Sequence, residues 1–179
     1  HAYEKAPYRH SVIGTIDELS SFTVADATYF YKTYYAPNNC TLIVLGDFDP
    51  GKVVALTEKY YGKMPAQKIP AQVFPAEPEQ TKAKAKTIPH PLANEEVVMV
   101  GYKIPGMAHK DIAALDVAAS VLAYGNGSWL EQELVQENIV SSVSASTGKT
   151  RHPGLFYVSL EMAGGKKAPE ALKVVNAAI

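Results

Sequence analysis

Five histidines, at positions 1, 10, 90, 109 and 152, are the side chains of this chain best suited to hold a catalytic metal. A hydrolytic zinc site needs imidazole or carboxylate ligands and a carboxylate that activates water. The compact form of that set is two histidines one helical turn apart, with a glutamate beside one of them. His1-Ala2-Tyr3-Glu4-Lys5 comes nearest to His-x-x-Glu-His, but Lys5 occupies the place of the second imidazole. A lysine ammonium has donors only and offers a metal no lone pair. His10 has no partner at helical spacing, and His90 lies between two prolines. His109 precedes a helix as a surface or capping residue, and His152 falls in a loop. Cys40 has no histidine or helix N-terminus beside it to make a nucleophile, so its expected role is packing in a strand. Asp47 and Asp49 look like a carboxylate pair, yet capping of the next helix accounts for Asp49.

The elements that would carry these residues follow from periodicity and breakers. A short helix is expected over Ile16–Phe22 and a second over Val24–Tyr35. Thr23 is placed to cap the second, with Asp26 three residues on. Ala36-Pro37-Asn38-Asn39 stops that helix, with the asparagines serving turn geometry. Cys40–Leu45 reads as a buried strand, and Asp49-Pro50 opens a helix that Gly62 ends. Tyr29, Tyr31, Tyr34, Tyr35, Tyr60 and Tyr61 recur at helical spacing and are expected to pack a core with their hydroxyls at its rim. From Met64 to Ala93 a proline recurs every few residues, which sustains neither helix nor central strand. This is a linker, with edge-strand segments expected near Gln72–Phe74 and Lys86–Ile88. The second half reads as a strand at Glu95–Ile104, a helix at Asp111–Ala123 and a helix opened by a Ser128/Glu131 capping box. Strands at Val140–Thr147 and Leu155–Met162 and a last helix begun near Pro169 complete it. The order βααββα predicts an α+β fold, an antiparallel sheet with helices on one face.

Composition excludes several classes. With 47% hydrophobic and 20% charged residues, the chain matches an ordinary globular protein. A net charge of −1 gives no nucleic-acid surface, and Lys82, Lys84 and Lys86 lie in the linker as a solvated tether. No apolar run is long enough to span a membrane. A single cysteine leaves the redox compartment open, whether cytoplasmic or periplasmic.

Three blocks in the same order resemble the M16 metallopeptidase family of insulinase, pitrilysin and the mitochondrial processing peptidases. They are Pro7-Tyr8-Arg9-His10-Ser11-Val12-Ile13-Gly14, the stretch Thr23–Pro50, and Gly125-Asn126-Gly127-Ser128-Trp129-Leu130 through Ser146. Within the third block, Val135–Ile139 departs from the family's Leu-Arg-Glu-x-x-Gly-Leu pattern, lacking the Arg and the small residue before the strand. Ser141-Ser142 stands where Tyr-Ser is common. The resemblance implies two partial M16-type units. Residues 1–65 would be the C-terminal part of a first domain, 66–94 an inter-domain linker, and 95–179 the N-terminal part of a second, inactive-type domain. It also implies a zinc endopeptidase parent whose ligands, Zn2+ included, belong to a segment before the first block, so that no metal is expected in this chain. The chain, beginning without Met, reads as an internal piece with a role in a chamber wall and substrate enclosure. Tyr8 and Arg9 are the substrate-orienting candidates; surface hydrogen bonding is the competing role for Arg9. The expected partners are an upstream catalytic domain, a second half or partner subunit, and a peptide substrate. The alternatives are part of a catalytically inactive M16-like subunit that scaffolds an active peptidase, or an unrelated α+β binding module.

Overall fold

The helices begin where side chains satisfy their first backbone donors. A computed structural model describes residues 1–179. Helix α1 (Ile16–Ser21) is opened by a reciprocal Thr15/Glu18 box and α2 (Val24–Tyr34) by the same device from Thr23 and Asp26. Helix α3 (Pro50–Tyr61) starts on Asp49, whose Oδ1 accepts from the N–H groups of Gly51 at 2.8 Å and Lys52 at 3.3 Å. These caps satisfy donors that each helix start would otherwise leave orphaned.

The second half is a two-layer unit. Strands β1 (Val97–Ile104), β2 (Val140–Thr147) and β3 (Gly154–Met162) form an antiparallel sheet in the order β1-β3-β2. Helix α4 (Ile112–Ala123), a π turn (Glu131–Val135) and α5 (Ala168–Ala178) complete the order, and α4 packs on β2. Phe156, Val158, Leu160 and Met162 of β3 alternate onto one buried face. Ala119 and Leu122 of α4, Leu130, Leu134, Ala171 and Val175 of α5 join them in one cluster. Each fully buried Leu or Val there is worth roughly 1.5–3 kcal/mol relative to exposure.

The π turn ends in a structure that explains a departure noted above. Ile139 N–H donates to Leu134 O at 2.8 Å and Asn138 N–H to Val135 O at 2.9 Å, with Asn138 at φ 53°. This is a Schellman closure, whose left-handed residue is normally glycine and next most readily asparagine. Asn138 therefore does the work of the missing small residue. Three residues later Ser141 is the extra residue of a register shift against β3, and its hydroxyl donates to Glu161 O at 3.2 Å.

The chain divides into two compact units, Tyr3–Glu79 and Gln80–Ile179, the latter with His1–Ala2. Several expectations fail in the first. Cys40–Leu45 forms no strand and Cys40 is exposed, not buried. The backbone at Cys40 is extended, but a strand exists through a neighbour's N–H and C=O groups, and no segment pairs with it. Gln72–Phe74 and Lys86–Ile88 form no strand for the same reason. Tyr29, Tyr31, Tyr35, Tyr60 and Tyr61 are exposed instead of packing a core. In the second unit the Ser128/Glu131 capping box is not made. Ser128 Oγ is buried without a hydrogen-bond partner; its backbone carbonyl accepts from Gln132 N–H at 3.1 Å, and the π turn that follows starts on Leu130 with no side-chain cap.

Candidate functional site

Tyr8 and Arg9 lie in a single 3-10 turn, Pro7–Arg9, that follows the buried Ala6. Proline at the first helical position fixes φ for the turn. Arg9 uses two of its donors on its own neighbourhood: Nη1 reaches Glu4 O at 2.7 Å and Nε reaches His10 Nε2 at 2.9 Å. The guanidinium is exposed and has five N–H groups in all, so it retains donors for a carbonyl or carboxylate. The Tyr8 ring is held between Tyr3, edge-on at 5.9 Å, and Phe74 at 5.2 Å. Burial pushes the Tyr3 phenol above its ordinary pKa, helped by Tyr8 and Glu77 beside it.

The histidines serve local geometry. His90 Nδ1 accepts from Leu92 N–H at 3.2 Å and His109 Nδ1 from Asp111 N–H at 3.3 Å. No group of three or more His, Cys, Asp or Glu side chains is placed to hold a metal ion. The donor set of this chain therefore does not fit the zinc that the family resemblance implies for the parent. Cys40 lines an open apolar recess of about 620 Å³ with Phe30, Tyr31, Tyr34, Tyr35 and Tyr61. That recess brings no acid, base and nucleophile together.

The second candidate surface is the sheet face turned away from α4 and α5. Strand register sets three rows across it: Val97, Glu161 and Ser142; Met99, Ser159 and Ser144; Gly101, Tyr157 and Ser146. Val97 and Met99 are about two-thirds exposed, whereas Val98 and Val100 on the same strand turn into the core. The face presents serine hydroxyls, one phenol and the Glu161 carboxylate, and at Gly101 the missing side chain leaves room that the Leu155 side chain occupies. Sequence reasoning missed it. The Ser142-x-Ser144-x-Ser146 alternation was a period-2 signal for one polar strand face.

The family model described as "Peptidase M16 inactive domain" matches residues 21–179. A zinc protease of Helicobacter pylori is 33% identical over 147 residues, covering 81% of this chain and 33% of that protein. A probable zinc protease of Escherichia coli is 38% identical over 68 residues, 37% of this chain and 7% of its own length. The chain thus spans a third or less of these relatives. Among solved structures, a protease from Helicobacter pylori superposes with a TM-score of 0.84 at 29% identity, over 98% of this chain and 43% of that one. A peptidase M16 inactive domain from Pseudomonas fluorescens shares the fold, with a TM-score of 0.76 at 20% identity over 98% of this chain and 42% of that chain. No helix is long and apolar enough to cross a membrane.

Proposed function

From the premise that this chain belongs to the peptidase M16 family, we propose that it is a non-catalytic segment forming part of the substrate chamber wall of a zinc endopeptidase. The match of residues 21–179 to the inactive domain carries the reading. Peptide-bond hydrolysis and the zinc it uses would belong to the intact parent, whose ligands are not in this chain. Residues 1–65 would close a first M16 domain, 66–94 link it to the next, and 95–179 begin the second. Support for the first assignment is the apolar Cys40–Leu45 segment, which pairs with no strand and in which Ile43 is 76% and Leu45 91% exposed. An apolar segment of that kind is stable in water only when paired and covered.

The open sheet face would form the wall in the second unit. Tyr8 and Arg9 would orient substrate in the first, with the exposed guanidinium donating to a peptide carbonyl. An upstream catalytic domain and a second half or partner subunit would complete the enclosure. The alternative is membership of a catalytically inactive M16-like subunit that partners an active peptidase; the inactive-domain match supports both readings.

The experiment has two arms. Purified residues 1–179 should hold no stoichiometric zinc by metal analysis and cleave no peptide; one tightly bound equivalent would overturn the non-catalytic assignment. In the intact parent, a photo-crosslinking residue at Ser144 should capture a bound peptide, whereas one at Lys173 on α5 should not. Equal capture at both would remove the chamber-wall role.

A further inference from the structure

Residues 66–94 carry prolines at 70, 75, 78, 89 and 91, yet their two ends differ physically. Ile69, Phe74, Pro75 and Glu77 are half-buried, whereas every residue from Pro78 to Glu95 is exposed. The first part is tied at three places within the Tyr3–Glu79 unit. Asn38 makes a two-way clamp on Gln67, its Nδ2 donating to Gln67 O at 2.9 Å and its Oδ1 accepting from Gln67 N–H at 3.0 Å. The Phe74 ring lies 5.2 Å from the Tyr8 ring. The Glu77 carboxylate accepts three successive backbone N–H groups, from Glu4 at 2.6 Å, Lys5 at 3.0 Å and Ala6 at 2.8 Å.

Three consecutive amides converging on one carboxylate make an anion cradle, and such charge-assisted bonds are about twice as strong as neutral ones. The cradle joins residues more than 70 positions apart, so it closes the unit's N-terminal turn onto the far end of the strap. Asn38 thereby has a role beyond its turn, and Tyr8 is held by the strap whether or not it also meets substrate.

We infer that residues 65–79 are a latched strap belonging to the first unit, with Glu77 as the latch, and that the exposed inter-domain connection is confined to about residues 80–94. The inference rests on the two-domain reading proposed above and deepens it. About 15 extended residues reach at most about 50 Å, and release of the strap would roughly double that reach. The latch would therefore limit how far the two halves of a chamber can part.

Trypsin reads the difference inside one molecule. Cleavage requires several residues to leave the surface together, so its rate tracks local opening. Lys68 lies between the Gln67 clamp and Phe74, whereas Lys82 and Lys86 lie in the exposed connection. In the unaltered chain, cleavage after Lys82 and Lys86 should outpace cleavage after Lys68 by on the order of tenfold or more. Glu77→Ala and Asn38→Ala should each bring Lys68 toward the Lys82 rate. Glu77→Gln, with a single acceptor oxygen, should fall between. Equal rates in the unaltered chain, or a ratio unmoved by Glu77→Ala, would overturn the latch. Neither outcome bears on zinc or peptide capture, so the chamber reading is tested separately.

Discussion

The two units of this chain carry similar amounts of helix but opposite amounts of core. In Tyr3–Glu79 the buried apolar residues are Ala6 and Ala36, while the second unit buries a continuous cluster from Ala119 to Val175. The first unit is specified locally: three helices have side-chain caps, and proline and asparagine stop the chain where it turns. Local specification alone leaves helices of six to twelve residues marginal, since most helical stability comes from packing. The second unit adds a sheet whose alternation matches the helices laid on it. Element type can thus be written in a few adjacent residues, whereas burial depends on a partner surface elsewhere.

The largest effect should come from testing that difference directly. Leu160 is fully buried in β3, so Leu160→Ala should cost about 2–5 kcal/mol in chemical denaturation of the second unit. Leu42 is 57% exposed, and Leu42→Ala in this chain should change stability by no more than about 0.5 kcal/mol. In the intact parent the same Leu42 substitution should rise toward the core value if residues 40–45 join a sheet there. A near-zero cost in the parent would show that the segment stays uncovered.

A smaller effect separates sequence pattern from backbone geometry. Asn138, at φ 53°, closes the Schellman turn ahead of β2. Replacing it with glycine should leave stability nearly unchanged, and replacing it with valine should cost about 1–2 kcal/mol, because a β-branched side chain crowds the backbone in the left-handed region that asparagine tolerates. Equal melting temperatures for the two variants would mean that the turn does not need its left-handed residue.

These cases also show what was legible beforehand. The caps at Thr23 and Asp49 and the helix and strand positions in 95–179 could be read because donor, acceptor and period lie within one or two turns. Asn138 was visible only as a lost glycine, because its backbone angle is not written in its neighbours. The Cys40–Leu45 run has a strand's composition, but composition cannot supply the strand beside it. Ser128 and Glu131 have the spacing of a capping box, but the π turn starts on Leu130 and the Ser128 hydroxyl is left without a partner. Of the candidate site, Tyr8 and Arg9 were found through a motif. The three-row sheet face needed the β1-β3-β2 register, which joins residues some 60 positions apart.

The smallest effect concerns carboxylates and divides the units by pH. In the first unit, the N–H and hydroxyl of Thr15 hold the Glu18 carboxyl below its ordinary value, and the hydroxyl and N–H of Thr23 do the same for Asp26. In the second, Glu96 is held low first by Ala168 N–H and then by Lys167, bonds that fasten the start of β1 to the N-terminus of α5. A carboxyl whose folded pKa lies below its unfolded one contributes stability that is present above the unfolded value and lost as pH falls through the folded one. For Glu18 and Glu96 the loss should begin below about pH 4.5 and for Asp26 below about 3.8, their ordinary values. In the first unit little core stands behind the caps, so acid should remove helix gradually there. In the second the core should hold α5 in place after Glu96 is protonated. Circular dichroism at 222 nm should therefore show a shallow helical loss below pH 4.5, reduced by Glu18→Gln with Asp26→Asn and left intact by Glu96→Gln. A loss that Glu96→Gln abolished instead would assign the acid-sensitive structure to the packed unit and reverse the comparison.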